Sequence, residues 1–194
     1  MGSLPLTEYF TVFPLLITKQ DISGYAEQDD VIERVTADSE VYQHDLVTHA
    51  SRSPMNNFLD SYPDLKNRMQ SACDSYADKV GLERPTISQS WYVTYENTGT
   101  IKRHNHSGSV ISGAYYPYIE KTRSSLVLEN PTMVLRPTDP IVSPTEYSTQ
   151  AKAIPISPGT LLLFPSYMYH WTDPEPVGKR CVVSFNTQVI PKND

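Results

Sequence analysis

The sequence has few cysteines, no long apolar run and no excess of basic residues, and each shortage argues against a class of protein. Only two of the 194 residues are cysteine, Cys73 and Cys181, and their wide separation fits neither a disulfide framework nor a zinc-binding spacing. No stretch approaches the roughly 18 to 20 apolar residues of a transmembrane helix, and the N-terminus lacks the layout of a signal peptide. Lysine and arginine number 16 against 22 acidic residues, a net charge of -6, so a broad basic surface for long nucleic acid is not expected. The sequence therefore predicts a soluble protein of the cell interior without a membrane partner.

Proline and tyrosine are abundant instead, with 16 and 13 copies beside only 8 glycines. Prolines together with β-branched and aromatic residues favour a sheet protein with long irregular loops. A chain of this length has room for a single domain. We expect one domain over residues 1–194, in which residues 1–84 supply a first strand and helical support and residues 85–190 form the core.

The spacing of apolar residues predicts helices in the first half of the chain. An apolar stripe with steps of three and four predicts a helix over residues 60–81, formed by Leu65, Met69, Cys73, Tyr76 and Val80. Pro63 suits the first turn of this helix, and Gly81 suits its C-terminal end. A second helix is expected within residues 29–42.

Strand patterns dominate the second half. Strands are predicted at residues 87–95, 109–118, 124–129, 160–164 and 180–189, in addition to a first strand at 9–17, and Asn97-Thr98-Gly99 is expected to form a turn. Six prolines between residues 130 and 158 indicate a long insertion over 131–158 with short edge strands. Helices followed by a run of antiparallel strands predict an α+β, mainly β domain, a barrel or jelly roll.

Three of the five histidines lie in the strand-rich half: His104, His106 and His170. Residues i and i+2 of an extended chain point to the same side about 6.5 Å apart, so His104 and His106 can face one point. Imidazole donors without thiolates suit iron, nickel, copper or zinc rather than calcium. The alternative interpretation of His-Asn-His is an exposed polar turn with no role as a ligand.

The order of motifs over residues 91–186 resembles the iron(II)- and 2-oxoglutarate-dependent oxygenases. The His104-Asn-His106 motif is followed by Ser-Gly-Ala-Tyr-Tyr at 112–116, Phe-Pro-Ser at 164–166, His170, and Arg180 with Ser-Phe-Asn at 184–186. The likeness is strongest to small bacterial and phage oxygenases with an HxH motif, and more distant to prolyl hydroxylases. The resemblance implies a double-stranded β-helix (a cupin-like jelly roll) with the N-terminal helices packed on one sheet, in the cytoplasm of a bacterium or a phage-infected cell.

The resemblance also implies roles for individual residues. His104 and His170 match the two metal-binding histidines. Arg180 matches the basic residue that binds the distal carboxylate of 2-oxoglutarate, which suits a planar guanidinium that donates two parallel hydrogen bonds. Further candidates for contact with 2-oxoglutarate are Ser184, Tyr116 and, as a weaker candidate, Tyr95.

One position departs from the superfamily. Most members carry Asp or Glu where this sequence has His106, and a carboxylate there helps to neutralise iron(II). The nearest carboxylates, Glu96, Glu129 and Asp139, lack the spacing of a ligand. The third metal ligand is therefore either His106 or a group that the sequence does not identify.

The resemblance implies an enzyme that uses Fe(II), O2 and 2-oxoglutarate to hydroxylate a small molecule or a peptide or protein side chain, with succinate and carbon dioxide as co-products. Two alternatives stay open: a three-histidine cupin-like metalloenzyme that does not use 2-oxoglutarate, and a jelly-roll protein without catalytic activity. Candidates for substrate contact are Asn186, Arg103 and Trp171. The insertion, with Arg136 and Tyr147, is a candidate lid.

Overall fold

A computed structural model of the chain describes residues 8–37, 45–54, 57–121, 124–135, 138, 140–174 and 178–189. Its two α-helices are α1 (Gln28–Ala37) and α2 (Pro63–Val80). Nine strands are described: β1 (Thr18–Asp21), β2 (Val47–Arg52), β3 (Thr86–Ile101), β4 (Ile111–Ile119), β5 (Ser124–Glu129), β6 (Ala151–Ile156), β7 (Thr160–Pro165), β8 (His170–Trp171) and β9 (Arg180–Gln188). Two short 3-10 helices span Phe58–Ser61 and Met133–Leu135.

The strands form two antiparallel sheets. The larger sheet has the order β1-β7-β4-β9-β3-β2, and the smaller has the order β6-β5-β8. Both edge strands of the larger sheet, β1 and β2, come from the N-terminal segment, which was expected to contribute one strand and helices. The prediction of a mainly β, α+β domain is confirmed.

The larger sheet is covered on both faces. Along β3, Tyr92 joins an apolar cluster with helix residues such as Val35 and Met69, whereas Trp91 and Val93 join a second cluster with the smaller sheet. Successive side chains of a strand point to opposite faces, so each central strand contributes to both clusters. The N-terminal helices therefore cover one face of the larger sheet, as expected, and the space between the two sheets lies on the other face.

Helix α2 follows its predicted boundaries closely. Pro63 occupies the first turn, and Gly81 adopts the left-handed conformation (φ 74°) that ends the helix. Four members of the predicted stripe are buried, whereas Val80 in the last turn is 40% exposed. The second helix is confirmed over Gln28–Ala37; the rest of its predicted range, 38–42, lies outside the described residues.

The predicted strand at residues 9–17 is wrong. This segment has no regular structure, and Tyr9, Phe10 and Phe13 are largely exposed. Phe13 has a positive φ of 56°, and Pro14 has no N–H to donate to a ladder, so a continuous strand cannot form across them. Pairing starts only at β1, where Thr18 lies opposite Leu163.

The turn expected at residues 97–99 is also corrected, because β3 continues through it to Ile101. Thr100 pairs with Thr48 and Tyr95 pairs with Ala50, so residues 96–99 bulge opposite the single residue His49. A Cβ atom on Gly99 would lie 2.5 Å from the carbonyl oxygen of His49, which explains the glycine. The sequence pattern is typical of a turn, but the residues on either side of it pair with β2, so the segment forms a β-bulge.

The strands predicted at 109–118, 124–129, 160–164 and 180–189 are confirmed with end shifts of at most two residues. The strand predicted at 87–95 is confirmed as the first part of the longer β3. In the described part of the insertion 131–158, the structure has one short 3-10 helix and strand β6. Neither helix of the described chain is both long and apolar enough to cross a membrane.

Gly113 in β4 lies directly opposite Phe185 in β9, and a Cβ atom there would lie 2.2 Å from the Phe185 ring. Phe185 is fully buried, so its ring cannot move into solvent. We expect Gly113→Ala to lower the free energy of unfolding by about 1–3 kcal/mol, measured by urea denaturation, because overpacking forces neighbours out of their rotamers.

The control is Phe185→Leu, alone and combined with Gly113→Ala. The double variant should be more stable than the sum of the two single changes predicts, because the smaller side chain makes room for the new methyl group. Strict additivity would show that the Gly113–Phe185 contact does not constrain this position.

Candidate metal centre

Three histidines from two distant parts of the chain meet at one end of the space between the sheets. His104 and His106 follow β3, and His170 begins β8. The backbones of His104 and His170 exchange two hydrogen bonds, with N–O distances of 3.1 and 2.8 Å. The backbone N–H of His106 donates to Ser166 O at 2.9 Å. Main-chain hydrogen bonds thus hold the segments of all three histidines together.

The three imidazole rings converge. One ring nitrogen of each histidine lies within 4.8 Å of the others. The His104 and His170 ring centroids are 4.2 Å apart, and each lies 5.1 Å from that of His106. The structure therefore brings together the three histidines that the sequence singled out, and His106 points toward the other two.

Backbone carbonyls fix the orientation of two of the rings. His104 Nδ1 lies 2.8 Å from Lys102 O, and His170 Nδ1 lies 3.0 Å from Met168 O. A carbonyl oxygen only accepts, so in each neutral ring Nδ1 carries the proton and Nε2 keeps its lone pair. Such a contact sets the tautomer of a metal-binding histidine, and both Nε2 atoms are available as ligands.

The electrostatics of the cluster favour neutral imidazoles. Burial lowers the pKa of His106 to about 3, with smaller contributions from His104 and the Arg52 guanidinium. Burial also holds the pKa of His170 well below its ordinary value. Both rings are therefore neutral at physiological pH, which is the form that binds a metal.

Two of the carboxylates that the sequence showed to lack ligand spacing are bound elsewhere. Glu129 forms an ion pair with Arg103, with Oε1 3.0 Å from Nη2, and Glu96 lies 3.2 Å from the Lys179 ammonium. Asp139 lies outside the described residues. Among the described residues, the group that converges here consists of histidines only.

Arg180 is fully buried at the start of β9. Its guanidinium donates to Ser124 Oγ at 2.6 Å, to Thr172 Oγ1 at 3.2 Å and to Gly99 O in the β3 bulge at 3.1 Å. It also lies 4.5 Å from the ring centroid of Tyr95. Burial raises the pKa of Tyr95 to about 12, so that hydroxyl stays protonated beside the cation.

The histidines open onto a cavity between the sheets. Its walls include the predicted residues Tyr95, Tyr116 and Ser184, together with Thr172. Arg180 lies behind this wall, in contact with Tyr95 and Thr172. Tyr116 faces the cavity, whereas Tyr115 faces the helices and contacts Tyr25, as alternation along a strand predicts.

The candidate substrate residues have different surroundings. Asn186 is buried, and its side-chain nitrogen lies 3.4 Å from His106 Nδ1. Arg103 is half exposed and lies 3.6 Å from the centroid of the Tyr169 ring, and Trp171 donates to Asp173 at 3.0 Å. Tyr147 of the insertion is 64% exposed and is not part of the cavity wall; Arg136 lies outside the described residues.

Four residues of the site were missed from sequence. Thr172 lies two positions after His170, and Ser124 begins a predicted strand, so alternation along strands offered a weak signal for both. Ser112, whose hydroxyl donates to Asn186 Oδ1 at 2.9 Å, lies within the Ser-Gly-Ala-Tyr-Tyr motif, but the motif gave it no role. Arg52, whose guanidinium lies 4.9 Å from the Trp91 ring centroid, belongs to the N-terminal segment, where no pattern pointed to the site.

Comparisons with solved structures show the same fold. A prolyl-4-hydroxylase from Pseudomonas putida is 13% identical, with a TM-score of 0.58 over 90% of this chain and 93% of that one. The viral collagen prolyl hydroxylase of Paramecium Bursaria Chlorella virus-1, solved with 2-oxoglutarate, is 11% identical, with a TM-score of 0.61 over 90% and 96%. HygX from Streptomyces hygroscopicus, solved with nickel and 2-oxoglutarate, is 8% identical, with a TM-score of 0.59 over 89% and 82%. This likeness confirms the predicted jelly-roll fold.

A search of curated proteins found no match. A family model described as "Putative 2OG-Fe(II) oxygenase" matches residues 89–186, half of the chain, from β3 to β9. The matched segment contains the three histidines and Arg180. The chain therefore belongs to this family of 2OG-Fe(II) oxygenases, and it is an enzyme that depends on iron(II), 2-oxoglutarate and O2.

Proposed function

We propose that this protein is a hydroxylase in which His104, His106 and His170 bind iron(II) and Arg180 binds 2-oxoglutarate. We further propose that its substrate is a small molecule or a peptide side chain. The convergence of three imidazole nitrogens within 4.8 Å carries the proposal. The cavity that they face is lined by Tyr95, Tyr116 and Ser184, the proposed contacts of the co-substrate.

The three histidines fit a divalent transition metal. Imidazole is a donor suited to iron, nickel, copper or zinc. Each histidine offers one ring nitrogen, and these nitrogens lie within 4.8 Å of one another, so the three side chains could hold one such ion between them. When bound, iron(II) supplies the coordination positions and the redox chemistry that activate O2.

The surroundings of Arg180 fit a carboxylate. From behind the cavity wall, its guanidinium can donate two parallel hydrogen bonds to the distal carboxylate of 2-oxoglutarate. Thr172 and Ser184 line the wall itself. Arg180 already donates to Thr172, so the cation and this hydroxyl are held together. Tyr116, also in the wall, offers a further hydroxyl to the co-substrate.

Apolar side chains limit access of water to the site. Trp91, Phe164 and Val182 form part of the cavity wall, and the Phe164 ring centroid lies 4.8 Å from that of His170. A wall of low polarity strengthens the electrostatic attraction between Arg180 and a carboxylate. It also protects the reacting groups from side reactions with water.

Two observations support the substrate class. The structures that share the fold include a prolyl hydroxylase in complex with a peptide fragment and HygX with hygromycin B bound, so this fold binds both peptides and small molecules. The net charge of -6 disfavours long nucleic acid. The half-exposed side chains of Arg103 and Trp171, close to the histidines in the sequence, are the proposed points of contact with substrate.

Replacing any one of the three histidines should weaken metal binding. We expect His104→Ala, His106→Ala and His170→Ala each to raise the dissociation constant for Fe(II) by at least about 100-fold, because each removes a direct ligand and even outer partners contribute 10- to 100-fold. The measurement is competition with a chromophoric chelator in the absence of oxygen. It also tests whether His106 is the third ligand.

The matched control is His49→Asn. His49 is exposed on β2, and asparagine tolerates its positive φ of 48°. This variant should bind Fe(II) like the wild type. If His106→Ala also bound Fe(II) like the wild type, the site would have two histidine ligands, and the three-histidine assignment would be wrong.

Removing the Arg180 guanidinium should affect 2-oxoglutarate and not the metal. We expect Arg180→Ala to raise the dissociation constant for 2-oxoglutarate about 100-fold, since charged hydrogen bonds worth roughly 3 kcal/mol are lost. The visible absorption band of the iron–2-oxoglutarate chelate, titrated without oxygen, reports this constant. Fe(II) affinity should change by less than about threefold.

Because Arg180 is buried, its alanine variant needs comparison with Arg180→Lys, which keeps the charge but cannot donate two parallel hydrogen bonds. Arg180→Lys should have intermediate affinity. Arg84→Ala, which removes an exposed partner of Asp78 on α2, serves as the unaffected control. Wild-type protein that binds iron but develops no absorption band with 2-oxoglutarate would contradict the proposal and favour a three-histidine enzyme that does not use this co-substrate.

A further inference from the structure

A buried chain of polar side chains lies behind His106. Asn186 Nδ2 is 3.4 Å from His106 Nδ1, and Asn186 Oδ1 accepts a hydrogen bond from Ser112 Oγ at 2.9 Å. The Ser112 hydroxyl lies 2.8 Å from that of Ser166. Asn186, Ser112 and Ser166 are at most 4% exposed, so the hydrogen bonds among these three side chains are made away from water.

The fold fixes the positions of these groups. Asn186 in β9 pairs with Ser112 in β4, in the centre of the larger sheet. Ser166 follows β7 directly, and its carbonyl oxygen accepts the backbone N–H of His106. The backbone and the ring of His106 are thus held by neighbouring parts of one rigid framework.

His106 differs from the other two histidines in what its Nδ1 faces. A backbone carbonyl, which can only accept, lies at Nδ1 of His104 and His170. An amide lies at Nδ1 of His106, and an amide either donates or accepts according to which end it presents. In the orientation of the structure, nitrogen faces His106, so Nδ1 accepts and Nε2 of the neutral ring carries the proton.

A protonated Nε2 cannot bind a metal. A rotation of the Asn186 amide by 180° exchanges its oxygen and nitrogen with little change in shape. The oxygen then accepts the proton of His106 Nδ1, the nitrogen donates to Ser112, and the Ser112 hydroxyl donates to Ser166. Every contact distance in the chain is kept, while Nε2 of His106 becomes available as the third ligand.

We propose that Asn186 is the positioning residue of His106, whose Nδ1–H donates to the Asn186 amide oxygen in the metal-bound protein. Ser112 holds the amide in this orientation by accepting from its nitrogen. Asn186 therefore acts through His106 and is not a substrate contact. The inference rests on the proposed function, because it requires His106 to bind the metal.

Two substitutions at Asn186 test whether an acceptor is needed. Asn186→Leu has a similar volume and no hydrogen-bonding group, and it should raise the dissociation constant for Co(II) 10- to 100-fold, the usual effect of removing a partner of a metal-binding histidine. Asn186→Asp keeps an acceptor and should bind Co(II) within about threefold of the wild type, or more tightly. The measurement is anaerobic competition with a chromophoric chelator.

Two further variants separate positioning from a loss of stability. Thr187→Val is the matched control: Thr187 is adjacent in β9 and fully buried, and its hydroxyl bonds the backbone of Ile111. It should bind Co(II) like the wild type. Ser112→Ala leaves Asn186 in place and should weaken Co(II) binding by about three- to tenfold, which keeps the proposal testable if Asn186→Leu fails to fold.

The His106 tautomer is a readout that a purely structural role would not change. In Zn(II)-loaded protein with 15N-labelled histidine, NMR should show a proton on His106 Nδ1 that exchanges slowly with solvent in the wild type and in Asn186→Asp, and rapidly in Asn186→Leu. A proton on Nε2 of His106 in the loaded wild type would overturn the proposal.

The Co(II) affinities of these variants distinguish an error about the role of Asn186 from an error about the three-histidine site. If Asn186→Leu binds Co(II) like the wild type, or if Asn186→Asp is weakened as much as Asn186→Leu, the positioning role is wrong while the metal site stands. If the wild type binds no Co(II), or if His106→Ala binds it as tightly as the wild type, the three-histidine site itself is wrong, and the role of Asn186 falls with it.

Discussion

The two backbone hydrogen bonds between His104 and His170 are the interaction on which the site depends. They join the segment after β3, in the larger sheet, to β8 in the smaller sheet. Both bonds join the two residues whose side chains carry the imidazoles. The main chain, and not only side-chain packing, therefore fixes the distance between the rings. Carbonyls of Lys102 and Met168, each two residues before its histidine, then set the rotation of each ring. The backbone of the two paired segments thus determines both the spacing and the orientation of the rings.

In the proposed site, a ligand set of neutral imidazoles changes the charge balance of the pocket. In a site with one carboxylate ligand, that group cancels part of the charge of the divalent ion. Here Glu96 and Glu129 are held by Lys179 and Arg103, while the guanidiniums of Arg52 and Arg180 lie close enough to influence the pKa of the Tyr95 hydroxyl. None of the described residues that line the cavity is a carboxylate. In the proposed site, the anionic co-substrate would therefore bring negative charge to a cavity flanked by two guanidiniums.

Much of this arrangement could be predicted from the sequence, because it depends on local patterns. The stripe of α2 with Pro63 and Gly81, and the alternation that separates Tyr115 from Tyr116, follow from helix and strand periodicity. The HxH spacing and the order of motifs pointed to the histidines and Arg180. The contacts of Arg180 were not predictable, since Ser124, Thr172 and Gly99 come from three separate strands or connections. The segment 9–17 was misassigned because its apolar alternation outweighed the effect of Pro14, and the turn at 97–99 because only the pairing with β2 makes it a bulge.

The irregular edges of the larger sheet affect whether molecules of this protein can associate by pairing their edge strands. An exposed strand edge can pair with a strand of another molecule, and natural proteins prevent this with short, charged or bulged edge strands. The edge strand β1 has only four residues, of which Lys19 and Asp21 are charged. The opposite edge, β2, is interrupted at His49, where φ is positive and the register shifts. The bulge that brings the Gly99 carbonyl to Arg180 thus also breaks the regularity of this edge. The feature that supplies a hydrogen-bond acceptor to Arg180 therefore also disfavours association through added strands.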